Sequence, residues 1–132
     1  MFKVNKLTDY ATLLLVNMAG NTDVNFSAKV LATNTGLTLA TVGKILKILV
    51  LNKILISHQG SQGGYRLARA PEAISVADII LAMEGRKGII ECVHDADNCD
   101  LKATCPVRDP WQKINLAVYQ VLEGMSLNDM LR

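Results

Sequence analysis

The chain holds three cysteines, Cys92, Cys99 and Cys105, and all of them fall in one short stretch with the spacing Cys-x6-Cys-x5-Cys. Between them stand Asp95, Asp97, Asn98, Asp100 and Lys102. These types favour turns, so the segment can double back and bring three thiolates within a few ångströms. Two metal chemistries fit such a set. Zinc is one, although structural zinc sites usually pair cysteines about two to four residues apart. An iron–sulfur cluster is the other; it prefers thiolates and accepts a non-cysteine ligand in some proteins. Three unrelated thiols would not account for their confinement to one segment, and an odd count argues against a closed disulfide framework. Three thiolates leave a fourth position. His94 lies inside the segment and is the local candidate, against its ordinary reading as a solvated loop histidine. Asp9 is the remote candidate; taken alone, it reads more simply as a carboxylate favourably placed in a first helical turn.

No Ser-His-acid set, phosphate loop or paired-carboxylate arrangement stands out, and the only histidines are His58 and His94. A non-enzyme is expected. The cysteine segment must then be held by the elements around it. Leu7, Ala11, Leu14, Leu15 and Met18 recur at three- and four-residue spacing, which predicts a first helix ended by Gly20-Asn21. "NFSAKVLATNTG" predicts a short helix from about Ser27 to Asn34, with Ser27 as N-cap and Gly36 as breaker. "LTLATVGKILKILVLNK" restarts a helix behind Thr38, with Val42, Ile45, Leu46 and Leu49 as its buried stripe. Thr41, Lys44 and Lys47 lie off that stripe.

Two short helices around a glycine-containing turn fit a helix-turn-helix, although a plain amphipathic pair has the same signature. The strand-like "ILIS" and "YRLA", joined by "HQGSQGG", add a β-hairpin directly after the second helix and make a winged helix-turn-helix. His58, Gln62 and Arg66 stand near its tip. "SVADIILAMEG" predicts a capped helix from about Ser75 to Met83. The last helix, "VRDPWQKINLAVYQVLEGM", carries Val107, Trp111, Ile114, Val118, Val121 and Met125 at alternating spacings of four and three. That is a heptad seam of the kind that pairs two helices. Pro110 falls in its first turn, where a missing N–H is tolerated.

The expected fold is therefore mainly α with a small β-hairpin wing. Residues 1–84 form a winged helix-turn-helix region, and residues 85–132 carry the cysteine segment and a dimerisation helix. At 132 residues the chain fits one compact domain, and the net charge of +2 conceals a split. Residues 1–69 hold eight Lys/Arg against Asp9 and Asp23, for +6, and residues 70–132 hold six basic against ten acidic residues, for −4. The front half suits a polyanion. No apolar run approaches the roughly 20 residues a membrane span needs. The N-terminal stretch reads as a mature helix rather than a signal peptide, so a cytoplasmic protein with reduced thiols and no membrane partner is expected.

"KLTDYA", "GSQGGYRLAR", "ISVADII" and the three-cysteine segment together resemble the IscR/NsrR-type winged-helix regulators that bind an iron–sulfur cluster, across nearly the whole chain. "KLTDYATLLL" and "CPVRDPWQKIN" resemble, more narrowly, the proteobacterial regulators of the SUF iron–sulfur assembly operon. The resemblance implies a homodimer whose paired long helices hold two DNA-binding heads on a double-stranded DNA operator. It also implies a 2Fe–2S or 4Fe–4S cluster held by Cys92, Cys99 and Cys105. In IscR-like members a histidine three residues after the last cysteine completes the site; here that position is Arg108. In NsrR-like members an aspartate in the first helix of the partner subunit completes it, and Asp9 matches that position. In such a complex Thr38, Ala40, Thr41 and Lys44 would face the major groove. Lys47, Ser61, Gln62 and Arg66 would meet phosphates or the minor groove. Gly43, on the same helix, either permits close approach to DNA or is neutral. Two rivals stand beside this reading: a nitric-oxide or redox sensor of the NsrR type, and a zinc-stapled structural protein that never touches DNA.

Overall fold

The computed structural model describes residues 4–85 and 108–131. Cys92, Cys99, Cys105, His94 and Val107 lie outside the described residues. Among the described residues, five helices and one hairpin follow in order: α1 (Lys6–Ala19), α2 (Ala28–Thr35), α3 (Leu39–Leu51), β1 (Leu55–His58), β2 (Gly64–Leu67), α4 (Val76–Glu84) and α5 (Arg108–Glu123). Short 3-10 turns stand at Pro71–Ala73 and Asn128–Met130. The mainly helical, winged architecture matches the sequence expectation.

Four helices start on side-chain caps. Asn5, Ser27, Thr38 and Ser75 each accept from the backbone N–H three residues on, at 3.0, 3.1, 3.2 and 3.0 Å. Each cap is worth about 1 kcal/mol. At α4 the cap is reciprocal, because the Ser75 backbone N–H donates to Asp78 Oδ2 at 3.0 Å. Between α2 and α3, Gly36 adopts φ 76°, the left-handed conformation that lets the chain leave one helix and enter the next. The two helices are bent by 118° across this turn.

The core gathers the apolar stripes. Leu14, Leu15 and Met18 of α1 meet Leu31 of α2, and Val42, Ile45, Leu46 and Leu49 of α3 in one buried cluster with Ile54, Leu55, Ile74 and Ile79. Leu127, beyond α5, is fully buried in the same cluster. The backbone anchors it there: Val76 N–H donates to Met125 O at 2.8 Å, and Leu127 N–H donates to Ile74 O at 2.7 Å. Ser126 and Asp129 cap each other's backbone N–H groups, at 3.2 and 2.9 Å. The end of α5 is thus stitched to the start of α4, against which α5 packs.

Candidate nucleic-acid interface and metal-ligand residues

The buried stripe of α3 fixes what its other side can present. With Val42, Ile45, Leu46 and Leu49 in the core, Leu39, Ala40, Gly43, Lys44 and Lys47 face outward and are exposed. Thr38 is exposed as well. Its hydroxyl serves the helix cap and also donates to Thr41 Oγ1 at 2.8 Å, and Thr41 itself is half-buried. Of the α3 residues expected at an interface, Ala40, Lys44 and Lys47 therefore present free side chains, while the two threonines are tied to each other.

The wing is an antiparallel pair in the register Leu55↔Leu67 to His58↔Gly64. Phe26, from the segment before α2, joins it as a third, single-residue rung: Phe26 N–H donates to Tyr65 O, and Tyr65 N–H to Phe26 O, both at 2.8 Å. Gly64 makes this approach possible. Its φ is 144°, and a Cβ there would stand 2.6 Å from Phe26 O. Ser61 and Gln62 are exposed in the connecting loop.

Asn25 is a residue that sequence reasoning missed. Its Nδ2 donates to Gln62 O at 3.0 Å, and its Oδ1 accepts from Arg66 Nε at 2.9 Å. One amide therefore fastens the wing loop to the segment before α2 and aims the Arg66 guanidinium, whose Nη nitrogens have no partner among the described residues. The pairing spans 41 residues of sequence, which is why no local signal announced it. Lys44, Lys47 and Arg66 stand in a stretch whose only acid between residues 10 and 71 is Asp23.

Asp9 lies in the first turn of α1 and is exposed. Beside it, Thr8 is buried, and its hydroxyl donates to Glu84 Oε2 at 2.9 Å. Glu84 is the last residue of α4, just before the chain enters the cysteine-bearing segment. The first turn of α1 and the departure point of that segment are thereby pinned together. On α5, Trp111 and Val118 of the heptad seam are half-buried, while Ile114 and Val121 are 45% and 71% exposed. Met125, just past the helix, is 49% exposed.

A family model, Rrf2, described as an iron-dependent transcriptional regulator, matches residues 4–132. The HTH-type transcriptional regulator NsrR of Halalkalibacterium halodurans is 28% identical over 131 residues, covering 98% of this chain and 90% of that protein. Among solved structures, CymR (YrzC), the global cysteine regulator of B. subtilis, aligns with TM-score 0.76 and 25% identity over 99% of this chain and 97% of its own. T. potens IscR aligns with TM-score 0.73 and 27% identity over 98% of this chain and 86% of its own.

Proposed function

The chain belongs to the Rrf2 family of transcriptional regulators, and on that premise we propose that it is a dimeric, iron–sulfur-dependent regulator of iron–sulfur assembly (SUF) genes. One observation carries the reading. A single chain joins an exposed basic winged-helix face to a three-thiolate segment, through two helices, α4 and α5, that are stitched to each other.

On the DNA side, α3 enters the major groove and the wing lies along the backbone. Two heads related by a two-fold axis place their α3 helices about 34 Å apart, one turn of duplex or a multiple of it. Lys44 and Lys47 supply charge at the groove, and Arg66, aimed by Asn25, supplies it at the wing. Lys44→Ala is expected to weaken operator binding and to lower the slope of log K against log salt by roughly one, the signature of one lost phosphate contact. Titrations over a series of KCl concentrations check this, and an unchanged slope would rule out a phosphate at Lys44. Asn25→Ala is expected to lower the same slope through Arg66. In the double variant with Arg66→Ala the two effects should not add, because both remove the same contact. Additive losses would separate the two residues.

On the sensing side, the donor set suits an iron–sulfur cluster. Cys92, Cys99 and Cys105 are thiolate donors, and the carboxylate of Asp9, supplied by the partner subunit, would complete the set. A cluster bound there would supply a centre reactive toward oxidants and nitric oxide. This chain's own residues then determine what is transmitted. α4 and α5 are joined at one end by the cysteine segment and at the other by the Leu127 anchor and the Val76–Met125 bond. Gathering the thiolates at one point fixes the open end of that pair and with it the angle between the head and α5. The coupling can be no larger than the difference in operator affinity between the two states.

The NsrR-type reading, in which nitric oxide is the signal, is favoured by Asp9 together with Arg108 at the position of the IscR-like histidine. Operator release at stoichiometric nitric oxide distinguishes it from an assembly regulator. The likeness to CymR, a cysteine regulator, means that the fold alone does not call for a cluster; the cysteines do. Anaerobic purification with iron and sulfide analysis and a visible spectrum tests the cofactor. A brown protein containing both is expected, and a colourless, zinc-loaded one supports the zinc-stapled alternative. Asp9→Ala is expected to alter the spectrum or hasten iron loss; an unaltered spectrum and stability would remove Asp9 from the ligand set.

A further inference from the structure

The outward face of α3 has a narrow chemistry. Lys44 and Lys47 donate hydrogen bonds and accept none. Leu39, 56% exposed, and exposed Ala40 and Gly43 carry no side-chain polar atom. The hydroxyls of Thr38 and Thr41 are joined in the helix cap. Nowhere from Leu39 to Leu51 does the helix contain Asp, Glu, Asn, Gln or Arg.

These facts restrict which base edges the helix can read. The amino groups of cytosine and adenine in the major groove need an acceptor; the exposed side chains from Leu39 to Leu51 offer none, and the threonine oxygens at the start of the helix already carry the cap hydrogen bonds. The bidentate pairing of guanine needs an arginine, which this face also lacks. What remains for the apolar positions is the one apolar group on any major-groove edge, the 5-methyl of thymine. The lysines, as donors, are left with acceptors: the phosphate oxygens and, on base edges, thymine O4, guanine O6 and N7, and adenine N7.

Gly43 makes the same point from the side of the protein. Its φ is not in the left-handed region, and a Cβ there would meet nothing within 4 Å. Nothing among the described residues requires glycine at that position, although glycine is a poor helix former. The bare backbone lies one turn from Leu39 and Ala40 on one side and from Lys47 on the other, so a base edge can approach it closely.

We infer that α3 selects its operator through thymine, with Leu39 and Ala40 packing on 5-methyl groups beside the open surface at Gly43 while the lysines engage neighbouring acceptors. This rests on the proposed operator binding and names the base class recognised. The charge around the face favours a polyanion over an apolar protein partner: Lys44 and Lys47 flank it, and Asp23 is the only acid between residues 10 and 71.

The test uses the full-length protein and a library of duplexes with a randomised window. Once a motif is enriched, each symmetric pair of thymines is replaced by deoxyuridine, which removes the methyl alone. At one or two positions per half-site, affinity is expected to fall about fourfold per methyl, the scale of burying one such group, and thus about fifteenfold per symmetric pair. Leu39→Ala, a change at an exposed position, should lose a similar factor on the thymine duplex and become indifferent to uracil. Gly43→Ala should bind the operator more weakly while melting at a higher temperature. Uracil duplexes that bind as tightly as thymine duplexes at every position, or full affinity in Leu39→Ala, would overturn the assignment. A library from which the wild-type protein enriches no sequence would overturn operator binding itself, a different result from an enriched motif insensitive to uracil.

Discussion

Replacing any one of Cys92, Cys99 or Cys105 with alanine is expected to strip the protein of its iron, its acid-labile sulfide and its visible absorption. A cluster gripped by three thiolates of one segment has no spare cysteine in this chain to take over a lost ligand. The three single variants and the triple variant should therefore look alike, because residues that act as one unit do not contribute additively. Each should also bind operator as the iron-free wild-type protein does, since the sulfurs matter to DNA only through what they jointly hold. The check is metal analysis and operator titration of all four variants, purified without oxygen. A variant that keeps its iron would release that cysteine from the set. Variants that lose iron yet bind DNA as the loaded wild type does would separate the cofactor from regulation. Asp9→Ala should have a smaller effect, because a carboxylate at the fourth position is the easiest ligand to replace with solvent.

The second large effect concerns the pairing of two heads. Ile114 and Val121 stand seven residues apart on α5 and are exposed within a single subunit. Exposed apolar residues at heptad spacing are what a two-stranded seam buries. Aspartate at both positions is expected to leave the fold of the subunit nearly unchanged, within about 0.5 kcal/mol per surface substitution. In a two-fold interface, however, each change is made twice, facing its own copy. Sedimentation should report a monomer. Operator affinity should fall by about two to four orders of magnitude, because the second half-site is no longer held at high effective concentration. A double variant that remains dimeric would move the interface off this seam, and a monomer with undiminished affinity would show that each head suffices alone.

Much of the fold was legible because its determinants are local. The stripe Val42, Ile45, Leu46 and Leu49 is buried as its spacing required, and Ser27, Thr38 and Ser75 cap the helices they precede. The glycines of "HQGSQGG" placed a tight connection, and a hairpin stands there. Contacts between distant segments were not legible. Asn25 gives no sign in sequence of reaching Gln62 and Arg66, and neither Thr8 nor Glu84 announces its partner 76 residues away. The burial of Leu127 had a partial signal, since Ser126 and Asp129 form a short capping pattern that fixes the chain around it. The site divides the same way. Cysteine spacing carries the argument for a metal centre, and the structure adds only that Asp9 is exposed on the first turn of α1. Ala40, Gly43 and Lys44 were placed on the α3 face from sequence; burial added Leu39, 56% exposed, and with it the apolar character of that face.

The most direct test takes one oxygen-free preparation, measures its affinity for the enriched operator, removes the iron by chelation, and measures again at the same salt concentration. A change of at least about fivefold, the lower end of ordinary coupling between two sites, is the predicted result. It should be reversed when iron and sulfide are restored and be absent from the cysteine variants. Equal affinity before and after iron removal, in a protein that held iron and bound the operator, would contradict the claim that this scaffold reports the state of a cofactor held by its cysteines.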